Sequence, residues 1–170
     1  MLVEVVGMKL KKKEAIKHIL RKMPLMSKVA QFNAVAEDMH LEYVEFKILK
    51  YEVTSKTKSN TLFRNGSKQH DITMLVNTYD GYSESVEILP DTEKRYVAKS
   101  CIKKSRIKDD DIIEGVKDQI IYFLGKKYKN DGMDRLSVQN INIREVKSIY
   151  KPYWVANFKG KNIYIDAWKI

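Results

Sequence analysis

The chain has 170 residues, 44% hydrophobic and 10% aromatic, enough apolar side chain for a real core, which excludes a globally disordered protein. Its formal charge of +10 favours anionic partners, nucleic acid or an acidic protein, although most of that charge is lysine, the weaker choice for bidentate phosphate or guanine recognition. Cys101 is the single cysteine, so no intrachain disulfide can form, and no run of about eighteen apolar residues is present to cross a membrane as a helix.

The opening segment, Met1 to Met8, is short for a signal segment and carries Glu4, so the expectation is a cytoplasmic protein. Leu2 to Val6 reads as a strand broken by Gly7. A helix follows, with Ala15, Ile16, Ile19, Leu20 and Met23 on one side and Pro24 as its stop. Its other side carries Lys11, Lys12, Lys13, Lys17, Arg21 and Lys22. A basic amphipathic helix of this kind can bind an anionic partner, and more often is simply a solvated face.

Residues 28–40 fit either irregular strand or helix. From Leu41 the mixture of Tyr43, Phe46, Ile48 and Tyr51 with charged residues argues for a strand. A polar hairpin loop with an Asn65-Gly66 turn signal comes next, then a strand through Ile72, Met74 and Val76. Asp80-Gly81 turns the chain into a strand through Val86 and Ile88 that ends at Pro90. Residues 91–106 read as a charged connector with one short helix.

The strongest helix is expected from about Asp109 to Lys129, with Asp109, Asp110 and Asp111 at its positive end and Glu114 in capping-box register with Asp111. Its apolar face is Ile112, Val116, Ile120, Phe123 and Leu124, so it covers a sheet; Gly132 suits the terminating turn. Strands are expected over residues 136–149, around Val155 and around Ile163, the last two flanking Gly160.

Tyr43, Phe46, Ile48 and Tyr51 are echoed by Tyr150, Tyr153, Val155 and Phe158, each run following a helix at a similar distance. Internal similarity at matching offsets points to one supersecondary unit used twice. The expected fold is therefore α+β, an antiparallel sheet with helices packed on one face and two related helix-plus-strands units. The boundaries are 1–95 and 96–170, with one fused domain as the alternative.

The stretch from the helix at Asp109 to Ile170 resembles the PepSY module: a helix, strands over Val138–Val146 and Tyr153–Phe158, and a Gly160 turn leading into Tyr164-Ile165-Asp166-Ala167. Such modules usually continue with Thr-Gly, where this chain has Trp168-Lys169-Ile170. The resemblance implies a small non-catalytic α+β module linked to ligand or peptide binding.

The residues themselves offer no catalytic, cofactor or metal motif. His18, His40 and His70 have no ligands at zinc spacing, and the three aspartates are explained by a helix start. Cys101, next to Lys103, Lys104 and Arg106, could be activated, but a buried inert thiol is the commoner outcome. What remains is aromatic-plus-basic interleaving near the end. The candidate partner-binding residues are Trp154, Trp168, Lys159 and Lys161, together with Lys11, Lys12, Lys13, Lys17 and Arg21 of the basic helix. The resulting expectation is a non-catalytic binding or assembly protein without cofactor or transmembrane segment, engaging a protein partner or a second copy through an aromatic sheet face, the basic helix, or both. The alternatives are a single-stranded nucleic-acid-binding protein and an enzyme with a site between two halves.

Overall fold

The computed structural model describes residues 1–21, 33–56, 66–128, 138–158 and 160–168. In chain order its elements are β1 (Leu2–Val6), α1 (Lys12–Arg21), α2 (33–38), β2 (His40–Lys56), β3 (Ser67–Asn77), β4 (Ser83–Ser85), β5 (Thr92–Tyr96), a 3₁₀ turn (Lys99–Cys101), β6 (Ile102–Lys103), α3 (Asp109–Gly115), α4 (Lys117–Lys127), β7 (Val138–Phe158) and β8 (Lys161–Asp166). The fold is α+β. Its eight-stranded sheet has the order β4-β3-β2-β7-β1-β5, with β6 beside β2 and β8 beside β7.

The sheet is mixed, which corrects the antiparallel expectation. The hairpins β2–β3, β3–β4 and β7–β8 are antiparallel, but β1 runs parallel to β7 and β6 parallel to β2. Strands joined directly by a loop pair antiparallel here, whereas strands reached through a long intervening segment are free to lie parallel.

The chain forms two compact units, each gathered from several segments: Met1–Glu45, Pro90–Lys104 and Ile149–Ile170 make one, and Phe46–Leu89 and Ser105–Ser148 the other. In the second unit, Ile112, Val116, Ile120 and Leu124 of α3 and α4 bury against Leu49, Tyr51 and Val53 of β2 and Ile72, Met74 and Val76 of β3. The i, i+4 spacing of those four helical residues supplies the stripe, and the i, i+2 spacing of the strand residues supplies the matching face. Tyr51 also donates its hydroxyl to the Ile113 carbonyl at 2.8 Å, and Lys47 reaches both Asp109 and Ser148 at 3.0 Å.

In the first unit, Ala15, Ile16 and Ile19 of α1 pack with Val35, Met39 and Ala156, flanked by Trp154, Ile163 and Ile165. A smaller cluster joins Val3 and Val5 of β1 to Tyr43 and Val97, with Cys101 and Ile102 against it. Cys101 is half-buried there as a packing residue.

Several expectations change at their edges. The expected long helix divides at Val116, one residue after Gly115, which is a poor helix former. Its N-cap is Lys108 and not Asp111, so the three aspartates occupy the first turn, where their charge complements the positive end of the helix dipole. The connector over 91–106 contains a full strand, β5, paired residue for residue with β1. The strand after Gly81 is Ser83–Ser85, earlier and shorter than expected, and Gly81 itself has φ 78°, a left-handed value that suits glycine. The two strands expected either side of Pro152 are one strand of 21 residues. Pro152 falls where the neighbour of β7 changes from β1, at Val5↔Tyr150, to β8, at Tyr153↔Asp166; it accepts the Ala167 N–H but has no N–H to return, and the Ala167 carbonyl accepts from Lys9 and Leu10 instead. The readings at Lys22, Met23, Pro24, Lys28, Asn65, Lys129 and Gly132 lie outside the described residues.

Candidate functional site

Two stretches at opposite ends of the sequence, the basic helix and the aromatic ending, meet in the first unit. The segment entering α1 is tied to the end of the chain by backbone bonds: Lys9 N–H and Leu10 N–H both donate to the Ala167 carbonyl, at 2.8 and 2.9 Å. Ala167 N–H in turn donates to Pro152 at 3.0 Å, and Trp154 Nε1–H donates to the Leu10 carbonyl at 2.8 Å.

From this anchor α1 projects its charge outward. Burial of Ala15, Ile16 and Ile19 fixes the rotation of the helix, so Lys13, Lys17 and Arg21, spaced i, i+4, form one exposed line. Lys11 is exposed beside it and Lys12 is half-buried. Glu14 is the only acid on the helix, and its carboxylate accepts the Lys11 backbone N–H at 2.8 Å, the back-reaching half of a capping box.

Trp168 lies at the foot of this line. Its ring carries Lys151 Nζ at 4.9 Å and Lys9 Nζ at 5.7 Å from the centroid, a double cation–π arrangement. Lys151 is 2% exposed, so its ammonium belongs to the interior, whereas Lys9 is exposed. Lys161 is exposed at the start of β8, and Lys159 lies outside the described residues.

Trp154 has a different place from the one expected of it. It is half-buried among the side chains under α1, and its indole N–H is used internally. Alternation along β7 does separate it from Val155, but Val155 and Ala156 are both fully buried, so both faces of the strand are covered at that point. Of the two tryptophans, Trp168 is the one left beside surface charge.

The charge is unevenly divided. The first unit holds 17 basic and 9 acidic residues, net +8; the second holds 15 and 13, net +2; together they account for +10.

A second polar cluster in the first unit was not visible in the sequence, because its members lie at positions 40, 42, 103 and 164. One Glu42 oxygen is 3.2 Å from His40 Nε2, and the other, buried and without a hydrogen bond, is 3.9 Å from Lys103 Nζ. Lys103 Nζ sits 3.9 Å from the Tyr164 ring centroid and also donates to that phenol's oxygen. The Asp38 carbonyl, followed by Glu42, holds the His40 imidazole above its ordinary range.

In the second unit a cleft of about 260 Å³ opens between β3 and α4, walled by Ile72, Leu124, Phe123 and Tyr128. Two of its charged residues, Lys127 and Glu87, pair with each other at 3.2 Å. Among the described residues, no group of three or more His, Cys, Asp or Glu side chains is placed to hold a metal ion, and no helix is long and apolar enough to cross a membrane. Comparison with known proteins gives no match to a family model, to a curated protein or to a solved structure.

Proposed function

We propose that this chain is a non-catalytic binding or assembly protein whose partner presents an acidic protein surface to the exposed face of α1. The observation that carries this reading is the line Lys13–Lys17–Arg21, continued by Lys11 and Lys9, on the unit that holds nearly all of the net charge. Like charges at i, i+4 repel, and lysines in a first turn oppose the helix dipole, so folding alone does not favour this pattern. A partner that neutralises it does. The apolar face of α1 is already committed to the core, so the partner meets charge and not a hydrophobic stripe.

Single-stranded nucleic acid is the second reading, favoured by the same charge. The aromatic geometry argues against it: two ammonium groups already attend Trp168, and Trp154 is used inside. Titration with poly-glutamate and with oligo-dT at low and high salt separates the two. Saturable, salt-sensitive binding of poly-glutamate that disappears in K11E/K12E/K13E supports the first reading. Tighter binding of oligo-dT supports the second, and no binding of either polymer at low salt removes both.

The two halves of the chain are, on this reading, copies of one unit. Tyr43 and Tyr150, the first echoed pair, are each the register partner of a short parallel strand: Ile102 of β6 for Tyr43, and Val5 of β1 for Tyr150. A helix begins seven residues after each of those strand residues, at Lys12 and at Asp109. The PepSY likeness of the second copy fits a small binding module. Half-against-half comparison of homologous sequences tests the duplication; similarity no better than that of shuffled halves would remove it.

A further inference from the structure

We propose that residues 1–89 and 90–170 are obligate folding partners, each lending its helix to the other's hairpin, and that the segment joining them is a dispensable tether. Each compact unit takes segments from both sides of the Leu89–Pro90 bond. In the first unit, α1, from the N-terminal half, covers Trp154, Ala156, Ile163 and Ile165 of the C-terminal half. The second unit reverses the roles: α3 and α4, from the C-terminal half, cover β2 and β3 of the N-terminal half.

The strands and the polar pins follow the same rule. β1 pairs with β5 and β7, and β6 pairs with β2, all across the same bond. Trp154 with Leu10, Asn157 N–H with Asp38, Tyr51 with Ile113, Lys47 with Asp109 and Thr78 with Ser105 also join the two halves. Within the N-terminal half, α1 lies in one unit while the faces of β3 and of the far end of β2 lie in the other. That half on its own would leave Leu49, Tyr51, Val53, Ile72, Met74 and Val76 uncovered, and a bare hairpin sheet is marginal at best in water.

The tether, 86–91, contains no helix or strand, and Ile88 is 88% exposed, which makes it a tolerant site for an insertion or a cut. The proposal is independent of what the basic face binds.

The experiment inserts a sequence-specific protease site after Ile88 in the full chain and cleaves the folded protein. Expected is a nicked protein that elutes at the uncut size, keeps its circular-dichroism spectrum, and acquires a denaturation midpoint that falls on dilution, because unfolding has become a dissociation. Separation of the fragments, folded or unfolded, overturns the proposal, and so does a midpoint unaffected by concentration. A second measurement needs no insertion. In the intact chain, Ile19→Ala is expected to lower amide-exchange protection at Ile163 and Ile165, in the opposite half, and to spare Leu49 and Met74. The reverse pattern overturns the proposal even if the insertion variant does not fold.

Discussion

Trp154 donates its indole N–H to the carbonyl of Leu10 at 2.8 Å, a bond that spans 144 positions of sequence and fixes where α1 begins. It ties the turn before the basic helix to the strand that the helix covers.

Trp154→Phe removes that donor and leaves the Leu10 carbonyl without it. Loss of a part-buried hydrogen bond of this kind costs about 1–3 kcal/mol. Urea denaturation is expected to show this loss, while binding of an anionic partner at temperatures well below melting stays unchanged. Trp168→Ala removes the ring shared by Lys151 and Lys9 and is expected to cost stability as well, by about 0.5–2 kcal/mol.

Lys47 supplies a second test. Its side chain is 11% exposed, and its ammonium is held by Asp109 and Ser148. Removing one partner weakens the compensation of a nearly buried charge. Asp109→Ala is therefore expected to destabilise by about 1–3 kcal/mol, and Asp110→Ala, at an exposed neighbour in the same turn, by no more than about 0.5 kcal/mol. Equal effects in thermal melts would mean that the aspartates act only through the helix dipole.

How far the sequence could be read depends on the kind of signal each element carries. α1 and α4 bury one stripe and β2 alternates from Leu49 to Ser55, so apolar spacing marks them. β5 reads Thr-Glu-Lys-Arg-Tyr with all five residues exposed, so it has no alternation to detect; its charges suit an edge strand that must not recruit another chain. On β7, alternation correctly places Trp154 and Val155 on opposite faces but cannot say that both faces are covered. The meeting of Lys9 with Trp168, and the exchange of helices between halves, are long-range packing choices that no local spacing encodes.

Tyr51 links packing to pH. Burial, with the charge of Glu114 adding to it, pushes its hydroxyl up to about 12. The folded protein thus holds the phenol proton more tightly than the unfolded chain does. The stability this contributes is fully present below pH ~10, where the unfolded tyrosine begins to ionise, and is lost as pH rises towards 12. The loss is on the order of 2–3 kcal/mol. Tyr51→Phe forfeits the bond to Ile113, at about 1 kcal/mol near neutral pH, but escapes the alkaline loss. Denaturant midpoints across pH 8 to 12 (roughly the titration range of tyrosine) are expected to favour wild type at first and the variant at the end. Parallel curves would mean that the unfolded state does not ionise more readily at this position.

The basic helix gives the sharpest separation of folding from function. Lys13 stands in the first turn, where a positive charge opposes the dipole, and four residues before Lys17, where it repels. In Lys13→Glu both terms change sign, and Glu before Lys at i, i+4 is the better orientation. The two effects together are expected to stabilise the protein by about 0.5–1.5 kcal/mol at low salt and by less at high salt. If the line from Lys13 to Arg21 exists to meet an acidic partner, the same substitution weakens binding of poly-glutamate and makes it less sensitive to salt. A variant that gains stability and binds equally well would show that the charge on α1 serves no partner. Gain of stability with loss of binding is the result that the exposed, self-repelling arrangement of these lysines leads us to expect.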